Sequence, residues 1–302
     1  MHNFDLNKFQ IEIQERKKFI DSCLTGCLEQ IDAYPVIIHQ AMHYAVFNGG
    51  KRLRPMLVME GAVLAGGDRE WVIPTACALE MIHSYSLVHD DLPAMDDDDF
   101  RRGKPTCHKV FGEDIAILTG DALLTAAFEL ITHNAGIAPI KAEQVLQVIK
   151  EVSKAAGSRG MIGGQVIDLQ SEGQKIEFTT LQTLHSLKTG ELFRAALRAG
   201  AVLGGMNSSG LEKITAYAHS FGLLFQITDD LLDVRGDEGL MGKPVGSDVK
   251  NLKTTYPSLI GIERTEEIAR KKVDECLSSL EYFGPEADFL RQLAWFTLVR
   301  NN

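Results

Sequence analysis

Along most of this chain, apolar residues recur at the three-to-four-residue spacing of a helix, and nowhere do they alternate for more than a few residues. That pattern restricts the fold more than any other feature, because it leaves nothing from which to build a sheet. The spacing predicts helices over about 7–31, 36–47, 56–66, 74–88, 114–134, 140–157, 160–171, 178–206 and 211–234, and two or three more over about 254–300. Pro35, Gly49-Gly50, Pro55, Gly66-Gly67 and Pro74 supply the stops and starts. The stretches 96–112 and 234–250 are polar, rich in turn residues, and read as loops. No strand–turn–helix unit carries a GxGxxG fingerprint, and no repeat, linker or low-complexity segment divides the chain. An all-α, single-domain bundle of long helices over residues 1–302 is the expected architecture.

Two acidic motifs stand far apart on this helical frame. The first runs Asp90-Asp91-Leu-Pro-Ala-Met-Asp96 and continues through Asp97, Asp98 and Asp99; the second is Asp229-Asp230-Leu-Leu-Asp233. Asp229 and Asp233 are four apart and share one helix face. Asp90 and Asp96 are six apart, so the helix must bend or end between them for both to converge, and Pro93 gives a reason for it to do so. An acidic run is usually only a solvated face. Here both runs follow apolar segments, HSYSLVH and FGLLFQIT, which a solvated face does not need. Carboxylates at this density repel one another unless a cation neutralises them, and hard oxygen donors select magnesium or calcium. No loop has EF-hand spacing. Two separated clusters point to several cations held around a polyanion such as a diphosphate.

The cations of the chain supply a second half to that site. Gly49-Gly50-Lys51-Arg52-Leu53-Arg54-Pro55 places three basic residues on a flexible turn ahead of a helix, and Arg101-Arg102-Gly103-Lys104 follows the first acidic cluster. The formal net charge is -10, which disfavours general binding to nucleic acid or anionic membrane, so clustered cations stand out against the background. His83 lies seven residues before Asp90, two turns away on the same side of a helix. His89 and His108 have no such support and read as packing residues.

With these motifs in place, the chain resembles the trans-type short-chain polyprenyl diphosphate synthases, most of all bacterial farnesyl diphosphate synthases. The resemblance rests on GGKRLRP at 49–55, HSYSLVHDDLPAMDDDDFRRGKPTCHKVFGE at 83–113, GDALL at 120–124, GGQVIDL at 163–169, LKTG at 187–190, FQITDDLLD at 225–233, and GKPVGSD through NLKTTYP at 242–257. It implies a bundle around a deep central cavity, usually dimeric, with the two motifs facing each other at its mouth. It implies that Asp90 and Asp96 bind magnesium with Asp91 in or near the shell, and that Asp229 leads the second set with Asp230 and Asp233. Three ions are expected once an allylic diphosphate is bound. Arg101, Lys188, Thr189, Gln226, Lys243 and Lys253 match positions that hold the allylic diphosphate; Thr189 and Gln226 would also turn oxygen dipoles on the allylic cation. Lys51, Arg54, His83 and Arg102 match the isopentenyl diphosphate site, with Gly50 at its edge. The implied reaction joins isopentenyl diphosphate head-to-tail to dimethylallyl or geranyl diphosphate. Tyr85, five residues before Asp90 and about 7.5 Å along the helix, is the candidate floor of the cavity, with the small Ser86 beside it. A large aromatic there implies the C15 product, farnesyl diphosphate; the alternative is the C20 product, geranylgeranyl diphosphate.

Other readings fit less well. A terpene cyclase takes one diphosphate and has no use for GGKRLRP, and a regulatory subunit has no reason to keep both acidic motifs whole. Cys23, Cys27, Cys77, Cys107 and Cys276 are odd in number and lack zinc spacing. Without close partners, Cys23 and Cys27 are expected to pack, in a reducing compartment. The first residues carry no signal pattern and no run of 18 apolar residues occurs, so a cytoplasmic protein with no membrane span is expected.

Overall fold

The structure is a computed structural model that describes residues 5–29, 33–235 and 254–300. Among these residues helices dominate. In chain order they are α1 (Leu6–Glu29), α2 (Val36–Val46), α3 (Leu53–Leu64), α4 (Ile73–Asp90), α5 (Cys107–Phe111), α6 (Glu113–Thr132) and α7 (Ala142–Ala156). Then come α8 (Met161–Ser171), α9 (Phe178–His185), α10 (Glu191–Leu203), α11 (Ser208–Arg235), α12 (Tyr256–Ile260), α13 (Ile262–Ser279) and α14 (Asp288–Val299). The all-helical reading therefore holds, with three corrections. Residues 96–112 are not all loop: Phe100–Arg101 and Lys104–Pro105 pair as a two-stranded antiparallel hairpin, β1 and β2, and α5 follows. The expected helix over 178–206 is divided by a π-helical turn, Ser186–Gly190. The third helix starts at Leu53, with Pro55 inside its first turn, where a missing N–H costs nothing.

A contiguous core runs from Phe9 on α1 to Ala294 on α14. At its centre α3 and α10 approach until their backbones touch. A Cβ on Gly200 would lie 1.7 Å from the carbonyl oxygen of Val58, and one on Gly61 would lie 2.1 Å from that of Leu197. Only glycine permits this crossing. Beside it an aromatic column joins α10 to α11: Tyr217 stacks on Phe221 at 5.7 Å, Phe221 meets Phe193 at 5.3 Å, and Phe193 meets Phe225 at 5.1 Å. Such pairs add about 0.5–1.5 kcal/mol each beyond burial. The column ends in cations, with Arg54 over Phe193 at 4.7 Å and Arg300 over Phe225 at 4.3 Å.

One further expectation needs amending. Cys27 is not without a partner: its thiol meets that of Cys77 where α1 packs on α4, and this hydrogen bond together with burial pushes the Cys77 thiol up. The stretch Glu113–Gly136 is long and apolar enough, by composition, to cross a membrane, yet only 39% of its most apolar window is buried in this chain. Its buried face, including Ala116, Leu123 and Ala127, packs on α4 and α2, while Ile117 and Leu118 point outward.

The α3–α10 contact is directly testable. Gly200→Ala forces the two backbones apart and should cost about 1–3 kcal/mol, lowering the thermal midpoint by several degrees. Gly26→Ala on α1, whose Cβ meets nothing within 4 Å, should be neutral or stabilising. Melting followed by circular dichroism checks both, and an unchanged midpoint for Gly200→Ala would show that the crossing is looser than described.

Candidate active site

The basic turn before α3 splits its cations between structure and site. Arg52 has a left-handed backbone (φ 55°) and turns inward. Its Nε donates to Asp21 Oδ1 at 2.7 Å, Nη1 to Glu80 Oε1 at 2.7 Å and Nη2 to the Val46 carbonyl at 2.8 Å. Arg54 points the other way, along the cavity wall over Phe193, and its Nε has no partner. Desolvation, with Arg102 nearby, pulls it down to about 10 against the pull of Glu80. Arg102 closes over the turn and donates to the Gly49 carbonyl at 2.6 Å. Gly50, at φ +135°, makes room for it, since a Cβ there would come within 2.9 Å of Arg102 Nη1. His83 lines the same cavity; burial, then Arg54 and Arg102, hold it well below the usual imidazole range, so it is neutral.

The six-residue spacing of the first acidic motif is met by ending the helix. α4 stops at Asp90 and the chain doubles back, so that the Asp96 N–H donates to the Asp90 carbonyl at 2.9 Å and the Asp98 N–H to the Asp91 carbonyl at 3.2 Å. Desolvation raises Asp90 to about 6; Lys188 opposes this and Asp96 adds to it. Asp91 is buried and faces Arg101, whose Nε donates to its Oδ1 at 2.6 Å. The hairpin explains this pairing: it carries Arg101 back onto the acidic motif and Arg102 onward to the basic turn.

The opposite wall comes from α8 and the π turn, with α11 packed against that turn. A π turn widens the helix and is often found at functional sites; here it presents Lys188 and Thr189. Lys188 Nζ pairs with Asp168 Oδ2 at 2.6 Å, and Thr189 Oγ1 donates to Gln226 Oε1 at 2.9 Å. In the second motif, Asp230 accepts the Tyr256 N–H at 2.9 Å, which ties it to the start of α12, and Asp233 is buried. Asp229 pairs with Arg300, the residue after α14. The Arg300 Nη2 also donates to Thr228 Oγ1 at 3.1 Å and to the Phe225 carbonyl at 3.3 Å. Sequence reasoning missed Arg300 and Asp168. Asp168 stood inside GGQVIDL, but only the fold reveals that the last helix returns to the second motif. Lys51 is exposed as a whole residue, yet desolvation of its ammonium, then Arg300, pull it down to about 8 against the attraction of Asp229.

Between these walls lies a mostly apolar cavity of about 490 Å³, reached by Arg54, His83, Tyr85, Ser86, Asp90, Lys188 and Thr189. A hollow of about 460 Å³ between α1 and α3 holds none of the motif residues. Lys243 and Lys253 lie outside the described residues. Among the described residues no three carboxylate, imidazole or thiol side chains converge closely enough to cage a metal. Asp90, Asp96 and Asp229 nevertheless suit magnesium, which is usually held by one or two carboxylates and completed by phosphate oxygens.

The sequence matches the family described as Polyprenyl synthetase over residues 35–284. It is 44% identical to a geranylgeranyl diphosphate synthase of Cyanophora paradoxa, across 99% of this chain and 98% of that one. It is 40% identical to the farnesyl diphosphate synthase of Bacillus subtilis, across 98% and 99% respectively. Among solved structures, an FPP/GFPP synthase from Zymomonas mobilis aligns with a TM-score of 0.85 at 36% identity, over 98% of this chain and 100% of that one.

The split within the basic turn predicts opposite phenotypes for neighbours. Arg52→Ala leaves Glu80 buried and unpaired and should cost about 3–5 kcal/mol of stability, seen as a large fall in the thermal midpoint. Lys51→Ala should melt as the parent does and bind inorganic diphosphate more weakly in a titration. Equal melting of the two variants would reject this division of labour.

Proposed function

The chain belongs to the polyprenyl synthetase family and is a prenyltransferase of head-to-tail condensation, and we propose that its product is farnesyl diphosphate, made from isopentenyl diphosphate and dimethylallyl or geranyl diphosphate. One observation carries the choice of product. Tyr85 is buried in the cavity wall on α4, five residues before Asp90, and a bulky ring there would stop an elongating tail. The relatives include both C15 and C20 synthases, and the likeness to the Cyanophora enzyme favours geranylgeranyl diphosphate as the second reading.

In the proposed mechanism Asp90, Asp96 and Asp229 would hold magnesium, as three ions when the allylic diphosphate is present. When bound, magnesium supplies neutralisation of the diphosphate as a leaving group. Arg101 and Lys188, with Lys243 and Lys253, grip that diphosphate, and Asp91 and Asp168 aim the first two. Lys51, Arg54 and Arg102 grip the isopentenyl diphosphate, with neutral His83 beside them. The allylic C–O bond breaks, the isopentenyl double bond forms the new C–C bond, and a proton passes to the released diphosphate. Thr189 and Gln226 turn oxygen dipoles toward the carbocation, and the apolar wall keeps water from it. We further propose a cytoplasmic homodimer. The outward apolar side chains Ile117 and Leu118 on α6 support a second copy as their cover, and five free thiols suit a reducing compartment.

Incubation with isopentenyl diphosphate, each allylic starter and magnesium, followed by chromatography, should give mainly C15. Tyr85→Ala should shift the product to C20 or longer. Chelation should abolish turnover; Asp90→Ala should lose it while melting normally, and Asp229→Ala should lose it with a lowered thermal midpoint, because buried Arg300 is left without its carboxylate. A parent that makes mainly C20 would decide for the second reading.

The Lys51 ammonium also predicts a pH profile. Its charge is present below about 8 and lost above it, so kcat/KM for isopentenyl diphosphate should fall as pH rises through that value. Lys51→Arg, which stays charged, should move the fall to higher pH; an identical profile would assign it to another group.

A further inference from the structure

The floor residue has no polar anchor. The Tyr85 hydroxyl is buried and finds no hydrogen-bond partner, so packing alone fixes the ring. Its neighbour one turn on is His89, whose ring meets it edge-to-face at a centroid distance of 5.8 Å. His89 is itself pinned. Its Nε2–H donates to the Ile117 carbonyl of α6 at 3.0 Å. The ring also lies in a slot that exists only because residue 120 is glycine: a Cβ there would come within 2.0 Å of Nε2, 2.4 Å of Cδ2 and 2.7 Å of Cε1. The chain of contact runs from the α6 backbone through His89 to Tyr85, and His89 and Tyr85 both reach the cavity.

We infer that Gly120 and His89 are positioning residues for product length, holding Tyr85 across the path of the growing tail. The inference rests on Tyr85 as the floor. An unbraced tyrosine with no hydrogen bond has free rotamers, and an extending hydrocarbon can turn it aside. Product length is then set by the clamping of α4 on α6 as well as by the size of the side chain at 85.

Products are compared by chromatography at one fixed substrate ratio for the parent, Tyr85→Phe, Tyr85→Ala, His89→Gln and Gly120→Ala, each with its melting curve. Tyr85→Phe should keep C15, because the hydroxyl makes no bond. His89→Gln, which retains a donor for Ile117 but no ring, should raise the C20 share several-fold. Gly120→Ala, which pushes the ring from its slot, should do the same from a residue outside the cavity lining. Turnover can fall in either variant, since His89 adjoins Asp90, but loss of rate or stability alone does not lengthen a product. If Tyr85→Ala lengthens the product while His89→Gln and Gly120→Ala still stop at C15, the brace is overturned and the floor survives. If Tyr85→Ala also stops at C15, the floor itself is wrong and the brace falls with it. Should Gly120→Ala fail to fold, His89→Gln decides.

Discussion

Every charge drawn into this site has to be held against desolvation, and the fold meets that demand by pairing charges from distant parts of the chain. Arg52 from the turn before α3 reaches Glu80 on α4 and Asp21 on α1. Arg101 on the hairpin reaches back to Asp91, Lys188 on the π turn to Asp168 on α8, and Arg300 at the end of the described chain to Asp229 on α11. A buried ion stripped of its partner costs several kcal/mol, so these pairs fix the register of the helices that bear them. What remains outside the pairs, above all Asp90 raised to about 6 and Lys51 lowered to about 8, is charge whose opposite neighbours do not offset its desolvation.

Much of this was legible in the sequence because it is local. Helical spacing marks α4, α6 and α11 without ambiguity, and the acidic and basic runs announce themselves by density alone. The arrest of α4 at the first motif was readable too, because Pro93 and the six-residue spacing demand it. What stayed hidden depends on tertiary contact. The hairpin has two residues per strand, too few to show alternation. The π turn hardly alters the apolar spacing across 178–206, so one helix was read where a widened turn divides two. Asp168 looked like one more helical carboxylate until Lys188 was seen beside it. Cys77 lies fifty residues from Cys27 in sequence, and nothing local links them. His89 was read as a packing residue, and so it is, but what it packs against gives the packing a consequence.

The small residues of the motifs have a physical reading of the same kind. GGQVIDL keeps Gly164 because a Cβ there would lie 2.3 Å from the Lys188 backbone nitrogen, and without that approach Asp168 would not face the lysine ammonium. GDALL opens with Gly120 for the sake of the His89 ring. In both places the glycine carries no chemistry. It sets the distance between two helices, and through that distance it aims a side chain on the other one.

Packing and charge therefore act along one axis. The aromatic column from Tyr217 through Phe221, Phe193 and Phe225 is ordinary core at one end and supports Arg54 and Arg300 at the other. Guanidinium groups laid on aromatic faces hold their donors in a plane parallel to the ring, free to reach past its edge. The orphaned Nε of each arginine is consistent with a group set by stacking first and by hydrogen bonds second. A rigid apolar base of this kind lets like charges stand close together in the free protein, because moving them apart would mean unpacking the core. Under the proposed function, cations and diphosphates would relieve the repulsion that remains, so the contacts that make the fold stable would also prepare the affinity for them.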